Sequence, residues 1–326
     1  MASAATIPQT ARPKGRASFL SRLFSGDSMA QALAFSCATL ILAITALLVW
    51  ELWAHSALAR EKFGFKFLVT SSWNPLTAEF GALPFIYGTV VTSVLGLLLA
   101  VPFGVGAAIF LAELAPPKLS DAMTFLIELL AAVPSVIIGL LGILVLVPFL
   151  LTVVPPIKDS FGDHAPFFFS GPFYGPSLLA AGVVLAIMIA PYIISVSREV
   201  LLAVPRDLRE AALALGATRW ETTWQVVVPY ARRGIMGSVF LAMARALGET
   251  MAVTMVVGNT PKIATSLLAQ GYSMASVIAN EFSEAIGNIY PSALIEVALA
   301  LFGITIVLNA VARLLILATA GKEPAK

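Results

Sequence analysis

Hydrophobic residues dominate six long stretches of the chain, which are separated by shorter stretches rich in charged residues, proline and glycine. A helix of ~20 apolar residues, rising 1.5 Å per residue, crosses a hydrocarbon core of ~30 Å. Each stretch is long enough, so the pattern predicts six transmembrane helices. The predicted spans are residues 32–53, 86–114, 123–154, 177–196, 234–257 and 290–312.

Prolines interrupt three of these spans, at Pro102, Pro134, Pro148 and Pro191. Helices embedded in lipid tolerate proline, because neighbouring groups re-satisfy the backbone carbonyls that it frees. The prolines therefore predict kinks within continuous helices.

Composition agrees with the pattern and excludes a water-soluble core. Of the 326 residues, 59% are hydrophobic and only 12% are charged, and the mean hydropathy is +0.93. Soluble domains carry about 25% charged residues. The fold class predicted is an all-α polytopic membrane protein. A single cysteine, Cys37, excludes an intrachain disulfide, and two histidines, His55 and His164, in separate predicted loops argue against a metal site.

Lysine and arginine are distributed unevenly between the two sides of the predicted helices. Of the 20, 14 lie on the side of the N-terminus and five on the other, and the last is Arg245 within a span. Cytoplasmic loops retain basic residues, so both termini are expected in the cytoplasm. Residues 1–31 then form a basic tail, 32–320 the transmembrane domain and 321–326 a second tail. The first span has a basic region before it but no cleavage site, and is interpreted as an uncleaved signal anchor.

Three predicted loops, 55–84, 155–176 and 258–289, face outward. In the third, Thr260 and Pro261 are typical of a helix start, with Gly271 past its end, and Ser273 is typical of the start of another helix that stops near Gly287. These helices could form a gate or docking surface, or could serve packing alone.

The longest inward loop, residues 198–233, contains helix signals of its own. Pro205 opens a helix with Asp207 in its first turn, and Gly216 can adopt the left-handed conformation that ends it. Thr218 and Glu221 then have the spacing of a capping box. The loop predicts two short helices joined by a glycine turn, with Trp220 and Trp224 available to a partner's groove.

The same loop resembles the EAA loop of the membrane subunits of binding-protein-dependent ABC importers. The resemblance rests on spacing: Glu210-Ala211-Ala212, three residues, Gly216, nine residues, and then Val226-Val227-Val228-Pro229. It implies that this element docks on an ATPase subunit, with Gly216 allowing the turn and Glu210 anchoring the contact. The chain has no Gly-x4-Gly-Lys-Ser/Thr phosphate loop, so it should not hydrolyse ATP itself.

Charged residues also lie within the predicted spans. Glu51 and Glu113 lie near span ends, where such side chains can reach the interface. Arg245 lies about 16 Å into its span, where an arginine costs at least ~2.5 kcal/mol and faces protein or water. Glu249 follows at i+4 and can share its helix face.

Two interpretations of Arg245 remain open at this point. It can brace the bundle in an ion pair with Glu249, joined by Glu128 or Glu296, or its guanidinium can meet a passing oxyanion with bidentate donors. The two are compatible if a resting salt bridge opens for substrate.

The residues around Arg245 resemble the permease subunits of Pst-type phosphate importers. The stretches that carry the resemblance are 244–253, with the sequence Ala-Arg-Ala-Leu-Gly-Glu-Thr-Met-Ala-Val, then 257–259, and 132–139, with the sequence Ala-Val-Pro-Ser-Val-Ile-Ile-Gly. The similarity extends over about residues 28–313 and implies a permease core of the type I ABC importers. It also implies a substrate path at Arg245, Glu249, Thr250, Glu128 and Ser135.

The resemblance further implies the assembly in which such a chain works. It predicts a second permease subunit, two ATPase subunits that bind ATP and Mg²⁺, and an extracytoplasmic phosphate-binding protein, all at a bacterial inner membrane. The chain itself is expected to bind no cofactor and no nucleic acid. Its expected ligands are phosphate ion and membrane lipid. Rival interpretations are a sulfate or molybdate importer of the same type, or an ion-driven secondary transporter that uses Glu128, Glu249 and Glu296 as a proton relay.

Overall fold

The computed structural model describes the backbone of residues 26–161 and 170–320, and the side chains of residues 29–159 and 170–314. The predicted tails before residue 26 and after residue 320, and His164, lie outside the described residues. The chain divides into two compact units, Met1–Glu51 and Leu52–Lys326. The first unit consists, in its described part, of most of one long helix, and the site lies in the second.

Helices and one short hairpin make up the regular secondary structure of the described residues. The helices are α1 (Gly26–His55), α2 (Ala57–Phe63), α3 (Lys66–Val69), α4 (Leu83–Ile109), α5 (Pro117–Ala131), α6 (Ser135–Leu141), α7 (Val147–Phe161), α8 (Leu178–Leu202), α9 (Arg206–Ala214), α10 (Arg219–Thr222), α11 (Val228–Leu247), α12 (Met251–Val256), α13 (Met274–Glu281) and α14 (Ile289–Ala320). Wide π turns continue α4 through Phe110–Leu114, join α6 to α7 through Gly142–Leu146, and join α10 to α11 through Thr223–Val227. The hairpin pairs β1 (Trp73–Asn74) with β2 (Glu79–Phe80), antiparallel.

Six of these helical stretches are long and apolar enough to cross a membrane, within the described part of the chain. They are Met29–His55, Leu83–Leu114, Ser135–Asp159, Leu178–Leu202, Arg219–Leu247 and Ile289–Leu314. The predicted number of spans is therefore confirmed, and the chain is a multi-pass membrane protein. His55 belongs to the end of α1, and the expectation that it lies in a loop is wrong.

The centre of the second unit is the packing of α4 against α8. Their backbones approach closely at glycine: a Cβ added at Gly96 would lie 3.0 Å from the Leu185 Cβ, and one at Gly182 would lie 2.5 Å from the Leu95 Cδ2. Small residues permit this approach in membrane helices, where van der Waals packing is a main source of association. The pair forms the scaffold on which the remaining elements are placed.

Two predicted spans have the wrong bounds. The run 123–154 is broken, because α5 ends at Ala131 and α6 begins only at Ser135, after Pro134. Pro134 therefore separates two helices and does not kink one, as expected where the residue before proline avoids the helical region. The run 234–257 is broken as well, since α11 ends at Leu247 and α12 begins at Met251.

The outward loops also differ from expectation. The helix predicted after Thr260 is absent from the described structure. Instead, the Thr260 hydroxyl donates to Gln270 Oε1 at 2.8 Å, and the Thr260 N–H donates to the Gly271 carbonyl at 3.0 Å. Carbonyls of this segment instead accept the first N–H groups of α8, as Ala269 does from Leu178 at 3.0 Å. The cap at Ser273 is confirmed, but its helix ends at Glu281, well before Gly287. Loop 155–176 begins as helix, because α7 continues through Pro155 and Pro156 to Phe161.

Candidate coupling element and substrate path

The two short helices of the inward segment are joined by a tight turn at Gly216. Gly216 has a φ of +89°, and a Cβ placed there would meet no atom within 4 Å. Glycine is therefore favoured by the left-handed backbone and not by lack of space. The predicted helix end at Gly216 is confirmed.

The second of these helices begins with the predicted capping box. The Thr218 hydroxyl accepts from the Glu221 N–H at 3.3 Å, and Glu221 Oε2 accepts from the Thr218 N–H at 2.8 Å. Helix α10 then continues through the π turn into α11, so the predicted loop 198–233 is shorter than expected at both ends. Pro229 lies directly after this wide turn, exposed, at the start of α11. We call residues 205–224 the coupling element.

The three residues of the Glu-Ala-Ala stretch differ in exposure. Glu210 and Ala211 are exposed, whereas Ala212 is half-buried. Apolar side chains surround them at the surface: Leu213 is 45% exposed and Leu215 is 89% exposed. Trp220 and Trp224 are also exposed, with ring centroids 5.6 Å apart. Glu210 thus lies on a surface that combines a carboxylate with apolar groups.

One arginine fastens the coupling element to the transmembrane helices. Arg209 Nη2 lies 2.7 Å from Glu113 Oε1, and Arg209 Nε donates to Glu113 Oε2 at 3.2 Å, which makes the ion pair bidentate. The same guanidinium donates to the carbonyl of Leu201 at 2.7 Å and to that of Val204. Both charged side chains are largely buried, at 19% and 10% exposure. We call this group the Arg209 clamp.

The clamp was not identified from sequence. Glu113 looked like a span-end carboxylate that reaches the interface, yet it binds Arg209 from the π turn at the end of α4. The sequence offers only one hint of this contact: Arg209 stands beside Glu210, and Glu113 is a carboxylate at the end of a span. Sequence spacing of 96 residues gives no reason to join them.

The helix break after Leu247 changes the relation expected between Arg245 and Glu249. Arg245 is exposed in the last turn of α11, and within the described residues it forms no ion pair. Glu249 lies in the break, where its Oε1 accepts from the Ala252 N–H at 3.2 Å. Glu249 therefore caps α12, and the shared helix face with Arg245 is wrong because the helix stops between them.

The other residues assigned to the substrate path lie near helix ends too. Glu128 is exposed in the last turn of α5, and Ser135 is half-buried at the first position of α6. Thr250 is half-buried beside Glu249, and its carbonyl accepts from the Thr254 hydroxyl at 2.7 Å. Ser135 thus adjoins the first of two breaks, 132–134 and 248–250, and Thr250 lies within the second; we call them the paired breaks. Glu128 lies about one turn before the first.

The paired breaks come together because α6 and α12 pack in parallel. A Cβ at Gly139 would lie 2.9 Å from the Ala252 Cα, and one at Gly142 would lie 2.9 Å from the Val256 Cγ1. The contact positions move toward the C-terminus along both segments, from Gly139 to Gly142 and from Ala252 to Val256, so the two segments run parallel. The N-terminal ends of α6 and α12 therefore lie at the same end of the pair. Ser135 and Thr250 therefore begin neighbouring helices, and Arg245 lies just before the second start.

Known proteins are similar in sequence to this chain over most of its length. The family model for binding-protein-dependent transport system inner membrane components matches residues 100–319. The phosphate transport system permease protein PstC of Mesorhizobium japonicum is 47% identical over 294 residues, covering 89% of this chain and 90% of that protein. PstC of Pasteurella multocida is 48% identical over 267 residues, covering 81% and 83%.

A solved structure of the MetNI methionine ABC transporter, in an inward-facing conformation, has a TM-score of 0.47 to this chain, at 19% identity and covering 72% of this chain and 93% of that one. The matches to the family model and to the two curated relatives span both the coupling element and the paired breaks. The chain belongs to the family of binding-protein-dependent transport system inner membrane components and, within it, to the PstC permease proteins.

Proposed function

We propose that this chain is the membrane-spanning permease subunit of an ATP-driven, binding-protein-dependent importer of inorganic phosphate. The assignment of phosphate as the substrate rests on the 47% identity, over 89% of the chain, to a protein named as a phosphate transport permease. Sulfate and molybdate are the alternatives of the same chemical class, and the two relatives reported above are both named as phosphate transport permeases. The chain would form half of the translocation path.

The coupling element is proposed to receive the movement of an ATPase subunit. Glu210 and its exposed apolar neighbours supply a surface that a soluble partner can bind. The Arg209 clamp supports transmission, since it joins this surface through four hydrogen bonds to the ends of α4 and α8. Bonds between charged groups in a partly buried site resist separation more than neutral ones. A push on Glu210 would therefore move both core helices.

The substrate path is proposed to pass the paired breaks. Arg245 is exposed and free of any intrachain ion pair among the described residues, so its planar guanidinium can offer two parallel donors to an oxyanion. Ser135 and Thr250 add hydroxyl groups at the adjacent helix starts. Glu249 would serve as a structural cap and not as the resting partner of Arg245. Irregular backbone inside a membrane protein is tolerated where it borders a cavity or protein, which fits a path at this level.

The partners and orientation follow from the same proposal. A second permease subunit would complete the path, two ATPase subunits would hold ATP and Mg²⁺, and an extracytoplasmic binding protein would deliver phosphate. Both termini, together with the coupling element, would face the cytoplasm of a bacterial inner membrane. Binding of ATP would close the ATPase pair and switch the core helices from inward-open to outward-open.

Reconstitution tests the proposal directly. The chain is co-expressed with its partner subunits, placed in liposomes, and supplied with binding protein and ATP. We expect phosphate to stimulate ATP hydrolysis and to accumulate in the vesicles, with sulfate and molybdate giving neither response. Equal transport of sulfate in the presence of its own binding protein would assign selectivity elsewhere and contradict a phosphate-specific path.

A further inference from the structure

A cavity of about 430 Å³ lies away from the coupling element and the paired breaks, at the other end of the spans. Two charged residues of opposite sign line it, Arg60 of α2 and Glu296 of α14. Trp53 and Phe65 supply aromatic walls, and Leu68 and Leu299 supply aliphatic ones. We call this cavity the headgroup cleft; neither the relatives' names nor the proposed transport path assigns it a role.

Arg60 is held in place by residues that shortly precede it in the chain, Trp53 and Ser56. Its Nε donates to the Ser56 hydroxyl at 3.1 Å and its Nη2 donates to the Trp53 carbonyl. The guanidinium carbon also lies 3.6 Å from the centroid of the Trp53 ring, a cation–π contact. Two donors are thus fixed, and among the described residues no acceptor is bonded to Nη1. The cation is oriented before any ligand arrives.

One oxygen of the Glu296 carboxylate lacks the hydrogen-bond partner that a buried polar atom usually has. Glu296 is only 7% exposed, and within the described part of the chain its Oε2 has no hydrogen-bond partner. Buried polar atoms are nearly always bonded, and an unpaired buried carboxylate costs several kcal/mol. Arg60 attracts this carboxylate electrostatically, but the two side chains form no ion pair within 4.0 Å in the described structure. Glu296 Oε2 is therefore left able to accept a hydrogen bond.

The surroundings of the two charges have the character of a membrane interface. Trp53 is 53% exposed near the end of a membrane-spanning helix, and Phe65 is 93% exposed in the segment that links this helix to the next span. Aromatic residues concentrate at the level of lipid headgroups. The aliphatic walls at Leu68 and Leu299 offer apolar surface that can cover the start of an acyl chain.

We propose that the headgroup cleft binds one aminophospholipid, a lipid whose headgroup carries a primary ammonium and a phosphate. The ammonium donates to Glu296, the phosphate accepts from Arg60, and the acyl chains lie along the aliphatic walls. A zwitterion with separated charges fits a cleft whose own two charges are separated and opposite. Phosphatidylglycerol brings no cation to Glu296, and the quaternary ammonium of phosphatidylcholine has no N–H to donate. The site does not depend on which anion is transported.

Native mass spectrometry of the full chain, purified and delipidated in detergent, tests this proposal. The chain is titrated with phosphatidylethanolamine, phosphatidylglycerol and phosphatidylcholine that carry identical dioleoyl chains. We expect phosphatidylethanolamine to bind about tenfold more tightly than either other lipid, as one charge-assisted hydrogen bond allows. Equal binding of the three lipids, or preference for phosphatidylglycerol, would overturn the proposal without any variant being made.

Variants then locate the site. Glu296→Gln should abolish the preference for phosphatidylethanolamine, and Arg60→Gln should weaken the binding of all three lipids, because each of them carries a phosphate. Ala300→Phe should block binding sterically while retaining both charges, because Ala300 lines the cleft. Glu61→Gln and Lys66→Gln remove exposed charges from the same segment outside the cleft and should leave binding unchanged. Retained preference in Glu296→Gln and Ala300→Phe would refute the assignment, as would equal loss in the two control variants.

Discussion

At the scale of single residues, the Arg209 clamp makes the most specific prediction for coupling. Removing either charge leaves the other largely buried and uncompensated, and such breaks cost several kcal/mol. We expect Arg209→Gln and Glu113→Gln to lower phosphate uptake by about tenfold or more, since one lost buried pair exceeds 1.4 kcal/mol. Uptake into proteoliposomes, together with ATP hydrolysis, measures the effect.

A charge exchange gives this prediction its control. In Arg209→Glu with Glu113→Arg the ion pair can re-form, but the donors to the carbonyls of Leu201 and Val204 are lost. The exchange should therefore not restore uptake. Arg206→Gln removes an exposed arginine from the same helix and should have little effect. Full activity of Arg209→Gln would show that the clamp does not transmit force.

Arg245 and Glu249 should respond differently to substitution, because one is exposed and the other caps a helix. Glutamine keeps the Oε1 acceptor for the Ala252 N–H, so Glu249→Gln should retain stability, whereas Glu249→Ala should lose about 1 kcal/mol. Thermal unfolding in detergent measures the difference. Equal melting temperatures for the two variants would contradict the capping role.

Substitution of Arg245 should affect transport with little effect on stability. Lysine keeps the charge but loses the planar fork, so we expect Arg245→Lys to lower uptake by about tenfold. The exchange Arg245→Glu with Glu249→Arg should not rescue transport, since it removes the cap on α12 and moves the cation into the break. A well-expressed and fully active exchange variant would defeat contact between Arg245 and phosphate.

At the scale of elements, the turn at Gly216 sets the angle between α9 and α10. Asparagine tolerates the left-handed region, whereas a β-branched residue there is strained by roughly 1–2 kcal/mol. Gly216→Asn should retain uptake and Gly216→Val should lose most of it, although a Cβ would meet no neighbour. Co-purification of the ATPase subunit with each variant measures docking.

Gly237 provides the matched control for this turn. It also has no atom within 4 Å of an added Cβ, but it lies in the middle of α11 and its φ is not positive. Gly237→Ala should therefore leave docking and uptake unchanged. Loss of docking in Gly237→Ala, or normal docking in Gly216→Val, would show that the conformation at Gly216 is not what matters.

At the scale of the whole molecule, the distribution of basic residues predicts the orientation in the membrane. Single cysteines at Lys158 and Lys262 should react with an impermeant thiol reagent in spheroplasts, and one at Arg219 should not. The test uses a Cys37→Ser background, because Cys37 is an exposed free cysteine. Labelling at position 219 in sealed spheroplasts would reverse the predicted orientation.

Features that depend on neighbouring residues were predictable from sequence alone. Six apolar runs predicted the six spans, because burial in lipid requires length and composition and little else. The capping box at Thr218, the turn at Gly216 and the cap at Ser273 were likewise predictable. Each depends on hydrogen bonds or backbone angles within a few residues, which the local sequence specifies.

Only the tertiary structure decided features that join distant segments. The break at 248–250 lies inside an apolar run that is long enough for one span, and the parallel packing of α6 against α12 brings it beside the break at 132–134. The helix expected after Thr260 is replaced by a loop because its carbonyls accept the free N–H groups of α8. The partner of Arg209 and the unsatisfied Glu296 depend on segments far apart in the chain, and apolar periodicity carries no information about such pairings.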